Sequence, residues 1–245
     1  MALPKIDVPT YEVELPLSKK KIRYRPFLVK EQRNLLMAME GDDSSTVHSS
    51  IRDILHNCTL TENIDIDKLP IIDVEYYFIH LRAKSVGEIV ESKYRCNNEV
   101  TDEKGTHECR NIMESNLNLL NIKVEKKEDV SDEIKLNEKV SIKLKYPEFG
   151  IIKDSLHYEN EDELTFAMLA QSIEYIYDGD QFYYSHETPL EELIEFVETM
   201  PPESFAKVEN FFNNLPKLKE KIEMTCKKCN FHHSIEVEGL ESFFV

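Results

Sequence analysis

The chain contains no tryptophan, only 6 glycines in 245 residues, and fewer basic than acidic groups. Each shortage excludes something. Scarce glycine argues against collagen-like, linker-rich or phosphate-cradling architecture, and neither a P-loop nor a G-x-G-x-x-G turn occurs. H-E-x-x-H and G-x-S-x-G are missing as well. No apolar run approaches the ~20 residues of a membrane span, so no membrane insertion is expected. The segment Met1 to Tyr11 carries Lys5, Asp7 and two prolines and lacks the apolar centre of a signal peptide. The expectation is a cytoplasmic protein with reduced thiols, in which paired cysteines suggest metal before disulfide.

Thirty Lys and Arg against 47 Asp and Glu give a formal charge of −17. Such a surface repels nucleic acid, whose binding depends on phosphate neutralisation, so no nucleic acid is expected as a partner. It also repels anionic membranes, keeps the chain soluble, and can steer a basic partner. Hydrophobic residues make up 41%, enough for a packed globule.

Periodicity divides the chain into runs. Tyr11, Val13 and Leu15 alternate with Glu12 and Glu14, and Ile22 to Leu28 resumes extended character, which predicts a hairpin. Glu31, Leu35, Leu36 and Met39 lie at helical spacing before Gly41. Ser44 to Ser50 offers caps for a helix with Val47, Ile51, Ile54, Leu55 and Cys58 on one stripe. Pro70, Val74, Phe78 and Leu81 predict a third helix that stops near Ser85 to Gly87. Strand period returns at Glu88 and leads to Cys96; Ile112 to Val124 reads as extended. Glu125 to Glu138 reads as a solvated loop, and Val140, Ile142 and Leu144 as a strand. Asn160 or Asp162 caps a helix through Leu169. Asp178-Gly179 is a turn inside the aromatic stretch Ile173 to Tyr184. Thr188-Pro189 opens a helix through Val197 by N-cap logic, and Pro201-Pro202 opens another through Phe212. Extended segments lead into Cys226 and out of Cys229.

Segregated runs of this kind predict an α+β fold rather than a βαβ sheet. The expected organisation is an N-terminal hairpin plus helical region (1–87), a discontinuous zinc-ribbon-like element (88–124 and 218–245) and an α/β insertion (125–217), with one compact domain as the alternative. No fixed-period repeat is visible.

The cysteines carry the firmest expectation. Cys226-Lys-Lys-Cys229 has the spacing that puts two thiolates on one metal. Cys96 and Cys109 have twelve residues between them, rich in turn-formers such as Asn97-Asn98 and Lys104-Gly105. Both pairs lie between strands, as in a zinc ribbon. The expected site is a structural Zn²⁺ on Cys96, Cys109, Cys226 and Cys229, with His107, His232 and His233 near enough to replace one ligand. Lys93, Arg95, Arg110, Lys227 and Lys228 would favour thiolates and offset the complex's charge. Cys58 belongs to an apolar stripe and is expected in the core.

Catalytic alternatives fare worse. Zinc deaminases need His-x-Glu and Pro-Cys-x-x-Cys; here His107 and Glu108 are adjacent and Thr225 precedes the knuckle. A four-thiolate site also has no open position for water. Pairs such as Asp178 and Asp180 read as solvated surface. The cluster Tyr175, Tyr177, Phe182, Tyr183 and Tyr184 reads as core or protein interface, because its acidic neighbours would repel phosphate. No catalytic residue is expected.

Two terminal blocks carry a resemblance. Ile22-Arg23-Tyr24-Arg25-Pro26-Phe27 followed by Lys30-Glu31-Gln32-Arg33-Asn34-Leu35-Leu36 resembles the opening of T4-like phage baseplate hub and hub-assembly proteins. Cys226 to Cys229, then Ile235-Glu236-Val237-Glu238-Gly239-Leu240-Glu241-Ser242-Phe243-Phe244, resembles that family's end. The resemblance implies a non-enzymatic hub subunit or assembly factor with other baseplate and tail hub proteins as partners. It implies residence in the host cytoplasm during assembly and in the virion baseplate for a hub subunit. The competing reading is a zinc-ribbon nucleic-acid-binding or transcription-associated protein.

Overall fold

The computed structural model of the chain describes residues 6–41, 44–102, 105–126, 130–151 and 161–239. Among them are six helices and a set of antiparallel sheets, so the α+β reading holds.

Strands β1 (Tyr11–Glu14) and β2 (Lys21–Tyr24) form the expected hairpin, with Tyr11 opposite Tyr24. Alternation puts Val13, Leu15, Ile22 and Tyr24 inward, where they meet α1 (Val29–Met39), α2 (Ser44–Cys58) and α3 (Ile71–Ser85). One buried acid fixes the hairpin on the helices. Asp73 on α3 has no exposed surface, and its two oxygens accept the backbone N–H groups of Leu17 and Ser18, each at 2.8 Å. The turn's orphan donors thus satisfy the carboxylate, which is what permits its burial.

The first helix keeps Glu31 and Leu35 of its expected stripe but not the other two. Leu36 and Met39 are exposed, whereas Leu35, Ala38 and the acid Glu31 are buried. Glu31 is buried because it is fully satisfied. Arg25 grips it with two guanidinium nitrogens at 2.8 and 3.1 Å, and the Leu28 N–H donates to it at 2.6 Å. Arg25 also donates to the carbonyls of Pro26 and Asn57, tying α2 into the same network. Caps for α2 at Ser44, and for the later helix at Asn160 or Asp162, lie outside the described side chains.

Helix α3 is buried on two sides, which is why its apolar residues run nearly all round it. Val74, Tyr77, Phe78 and Leu81 face the first core; Ile79 and Ala83 face a second. That second core lies between two hairpins. One is β3 (Ile89–Arg95) with β6 (Ile112–Asn118); between them β4 (Glu99–Asp102) and β5 (Gly105–Glu108) form a small exposed hairpin of their own. The other is β12 (Lys217–Thr225) with β13 (His232–Glu238), extended by β7 (Lys123–Glu125) along the free side of β12.

A third core lies under a four-stranded sheet in the order β11-β10-β9-β8, made of β8 (Glu133–Lys135), β9 (Ser141–Leu144), β10 (Ile173–Tyr177) and β11 (Phe182–Tyr184). Ile134, Ile142 and Ile176 form one inward row across it. Helices α4 (Glu161–Gln171), α5 (Leu190–Glu198) and α6 (Pro202–Asn213) supply the other wall. Two expectations are corrected here. Glu133–Lys135 is a strand inside the charged stretch read as loop, because Ile134 fills the end of the inward row. At α5 the N-cap is Pro189, not Thr188, whose hydroxyl instead donates back to the Tyr184 carbonyl.

The Arg25–Glu31 pair yields a test. Burial alone would raise the Glu31 carboxyl; hydrogen bonds from Arg25 and Leu28 outweigh it and leave the group below its ordinary value. Replacing Arg25 with alanine strands a buried carboxylate and is expected to cost about 3 kcal/mol at neutral pH. A depressed folded pKa gives stability that is present above the unfolded value and lost as pH falls through the folded one. The cost of Arg25→Ala, measured by urea denaturation, should therefore shrink at acidic pH; an equal cost at every pH would mean packing, not charge, holds this corner.

Candidate metal centre

Each cysteine pair sits at the tip of one of the two large hairpins, and the tips are built alike. In the second hairpin Thr225 pairs with His232, the Cys226 N–H donates to the Phe231 carbonyl (2.9 Å), and the Asn230 N–H donates to the Cys226 carbonyl (2.8 Å). In the first, Arg95 pairs with Ile112, the Cys96 N–H donates to the Asn111 carbonyl (2.8 Å), and the Arg110 N–H donates to the Cys96 carbonyl (2.9 Å). Asn230 and Arg110, each directly after its pair's second cysteine, both take left-handed backbone, with φ of 57° and 54°. The Cys109 N–H closes onto the Asn98 carbonyl at 2.8 Å. Strands β4 and β5 therefore bulge out of an otherwise ordinary C-x₂-C knuckle. Cys96-Asn-Asn-Cys109 is the structural counterpart of Cys226-Lys-Lys-Cys229, an internal pair that the long spacer hides from sequence inspection.

The two tips face each other. Cys96, Cys109, Cys226 and Cys229 bring their sulfurs within 4.8 Å of one another, with Cys96 to Cys229 at 3.6 Å and Cys109 to Cys226 at 3.8 Å. These contacts are far longer than the ~2.0 Å of a disulfide, and all four thiols are free. Tetrahedral zinc with Zn–S bonds of ~2.3 Å requires sulfurs about 3.8 Å apart. Two of the contacts match that spacing and all lie within 4.8 Å, the cluster is largely buried, and it consists of soft donors only, so the residues fit a divalent thiophilic metal. This is a zinc-ribbon-like arrangement.

Surrounding donors suit thiolates. Asn98 and Asn111 direct side-chain N–H groups at the sulfurs of Cys229 and Cys226, at 3.6 and 3.5 Å. The N–H groups of Cys229 and Lys228 pull the Cys226 thiol down to about 6. Burial pushes Cys96 up to about 12, and Cys109, although it receives the Asn111 N–H, is raised by burial and by neighbouring sulfurs. Four crowded thiols cannot all ionise unaided, but a coordinated thiol is deprotonated outright.

Among the described residues the cluster of close donor atoms consists of the four cysteines and includes none of the three candidate histidines. His107 is exposed and lies against the Gly105 carbonyl and Asp102; His232 lies against Thr225 and Glu223. His233 is buried, with Nε2 at 3.1 Å from the Cys96 sulfur, within hydrogen-bonding distance of it. Sequence reading named His233 but assigned it no such contact, because its register opposite Met224 and its edge-on contact with Phe231 exist only in the folded hairpin. The cations divide likewise. Lys228 donates to the Cys109 carbonyl at 3.2 Å, Arg110 pairs with Glu108, and Lys93 with Glu114. Cys58 is core, as expected; burial pushes its thiol up to about 12.

A cavity of about 250 Å³ at the foot of α3 is the place where chemistry would next be sought. Ile72, Tyr146, Phe212 and Leu218 line it together with Glu75, whose carboxyl burial pushes up to about 7. Its second carboxylate, Glu238, is held low by Lys217 and Lys219. No serine, cysteine or histidine is among its described lining residues to act as nucleophile or partner base. Glu75 thus reads as a strained carboxyl rather than half of an acid–base pair.

The fold and site define an α+β protein closed by a ribbon-like four-cysteine centre. The chain belongs to the family described as T4 bacteriophage base plate protein, whose model matches residues 8–245. No curated protein and no solved structure matches the chain. Membership makes it a phage tail protein that works among other tail proteins. No helix among the described residues is long and apolar enough to cross a membrane.

Two measurements follow from this geometry. Metal analysis should find one divalent ion per chain, lost on Cys96→Ser or Cys226→Ser and retained on Cys58→Ser; an ion that survives the first two changes would refute the ligand set. For Glu75, a folded pKa above the unfolded one means stability is complete below the unfolded value and declines as pH rises through 7. Glu75→Gln should therefore raise the melting temperature at mildly alkaline pH and leave it unchanged at pH 4.

Proposed function

We propose that the protein is a non-enzymatic hub component, or hub-assembly factor, of a contractile-tailed phage baseplate, and that its four cysteines hold one structural zinc. The observation that carries this reading is the family match, which spans all three cores rather than one module. The chemistry of the cysteine set supports it. Four thiolate donors fill a tetrahedral ion and leave no position for water or substrate, which suits a staple and not a catalyst. On this reading 88–124 with 218–245 forms the ribbon-like unit, 1–87 the hairpin-and-helix unit, and 125–217 the insertion.

The nucleic-acid reading would need free cations near the cysteines. Three of those nearby are already engaged within the chain, and the chain as a whole carries a formal charge of −17. Contacts with proteins fit this surface better.

Mass spectrometry of purified virions tests the structural version: a hub component is found in mature particles, an assembly factor is not. Infection with this gene disrupted is expected to yield no complete baseplates by electron microscopy. Complete baseplates in that infection would end both versions.

A further inference from the structure

The net charge is not spread evenly along the chain. Residues 154–206 hold fourteen Asp and Glu and no Lys or Arg. The rest of the molecule, with 30 basic and 33 acidic residues, is close to balanced. Twelve of the fourteen acids lie at 161–203, on or between α4, β10, β11, α5 and the start of α6. Three of the four exposed Phe and Tyr side chains among the described residues are also here. Phe182, Tyr183 and Tyr184 are 50%, 39% and 40% exposed, although strands of such residues are normally covered.

Register explains the surface. Tyr175 pairs with Tyr184 and Tyr177 with Phe182, so these four rings share the outward face of β10 and β11. Their centroids lie 4.7 to 6.1 Å apart, in tilted, edge-on and stacked contacts. Tyr183 points the other way and donates its hydroxyl to Asp178 at 2.8 Å, which stiffens the turn between the strands. The Asp178 carboxylate also accepts the N–H groups of Asp180 and Gln181, so the rings are presented on a rigid hairpin. Strand β11 is the last of its sheet, and its outer edge pairs with no described strand. Glu174 and Asp180 are exposed beside the rings. Lys143, the next residue across from Tyr175 on β9, is tied to Asp132 at 2.8 Å.

Lys139 beside Gly179 and Lys135 two strands from Tyr177 are the other cations nearby among the described residues. Exposed, pre-packed rings on a segment that holds only acidic charge are complementary to arginine and lysine. A guanidinium stacks on an aromatic face while its N–H groups reach a carboxylate. The surrounding charge accelerates encounter with a basic surface, and the rings supply the contact area that retains it. The same field repels phosphate and anionic lipid. We propose that the outward face of β10–β11, centred on Tyr175, Tyr177, Phe182 and Tyr184, is a docking surface for an arginine- and lysine-rich segment of a partner protein. The proposal rests on the reading of this chain as a protein that acts through protein contacts, and it adds the surface and the chemistry of the partner.

A synthetic arginine- and lysine-rich peptide serves as the probe, followed by fluorescence anisotropy, with a glutamine-substituted peptide as control. The basic peptide should bind, lose affinity as salt rises, and bind about tenfold more weakly to a Phe182→Ser/Tyr184→Ser double variant. Both side chains are exposed, so the variant should keep its melting temperature. Equal affinity for wild type and variant would mean the peptide senses charge alone and would overturn the proposal. Absence of binding, or equal binding of the neutral peptide, would overturn it too. In a gene-disrupted infection the wild-type chain should restore plaques and the double variant should not. If both restore them, the face is not a docking surface. If the wild-type chain does not, the functional reading fails, and the peptide measurement still decides the chemistry of the face.

Discussion

The approach of four sulfurs from two hairpin tips is the constraint around which the chain is arranged. Cys109 and Cys226 are separated by 116 residues, yet their sulfurs lie 3.8 Å apart. Everything between them must leave from and return to one place. The intervening chain does so by building its own sheet and helices over a separate core, then rejoining through β12 beside β7. Closing so long a loop is entropically costly, though the cost grows only logarithmically with length. A structural metal, of order 10 kcal/mol in small zinc-binding peptides, is enough to offset it.

Satisfied buried acids do comparable work elsewhere. Asp73 and Glu31 lie inside the first core because each accepts backbone or guanidinium donors from a neighbouring element. They fix the angle between hairpin and helices in a way that apolar contacts, which carry little direction, do not. The Arg-Pro-Phe and Lys-Glu block thereby acquires a physical role. Arg25 is the clamp, Glu31 its target, and the Phe27 N–H is taken up by the Ser85 hydroxyl at the end of α3.

Much of this was legible in the sequence, for identifiable reasons. Period and punctuation marked most strands and helices, and the C-x₂-C knuckle with its distant partner pair marked the four cysteines that cluster. What was not legible depended on contacts distant in sequence. Helix α1 reads as an amphipath with Leu36 and Met39 inside, but Arg25 draws Glu31 inward and rotates those two out. Strand β8 is too short and too charged to announce itself; only its register beside Ile142 makes Ile134 a core residue. The likeness of the two hairpin tips was hidden because repeats are sought at a constant spacing, and ten residues inserted in one copy shift the comparison. His233 looked like a possible ligand when only its proximity in sequence to Cys229 was known; the fold makes it a neighbour of Cys96.

The small β4–β5 hairpin has a further consequence. It enters after Asn98 and leaves at Cys109, two positions held together by a backbone hydrogen bond of the knuckle itself. The backbone closure of the knuckle thus does not run through the hairpin's tip, although Val100 at its base packs against the second core. Among related chains this is where length should vary most freely, from a bare two-residue turn to a sizeable projecting arm. It is equally a graft point at which a foreign segment, such as an epitope or a fluorescent domain, can be accommodated while the ribbon beneath keeps its shape.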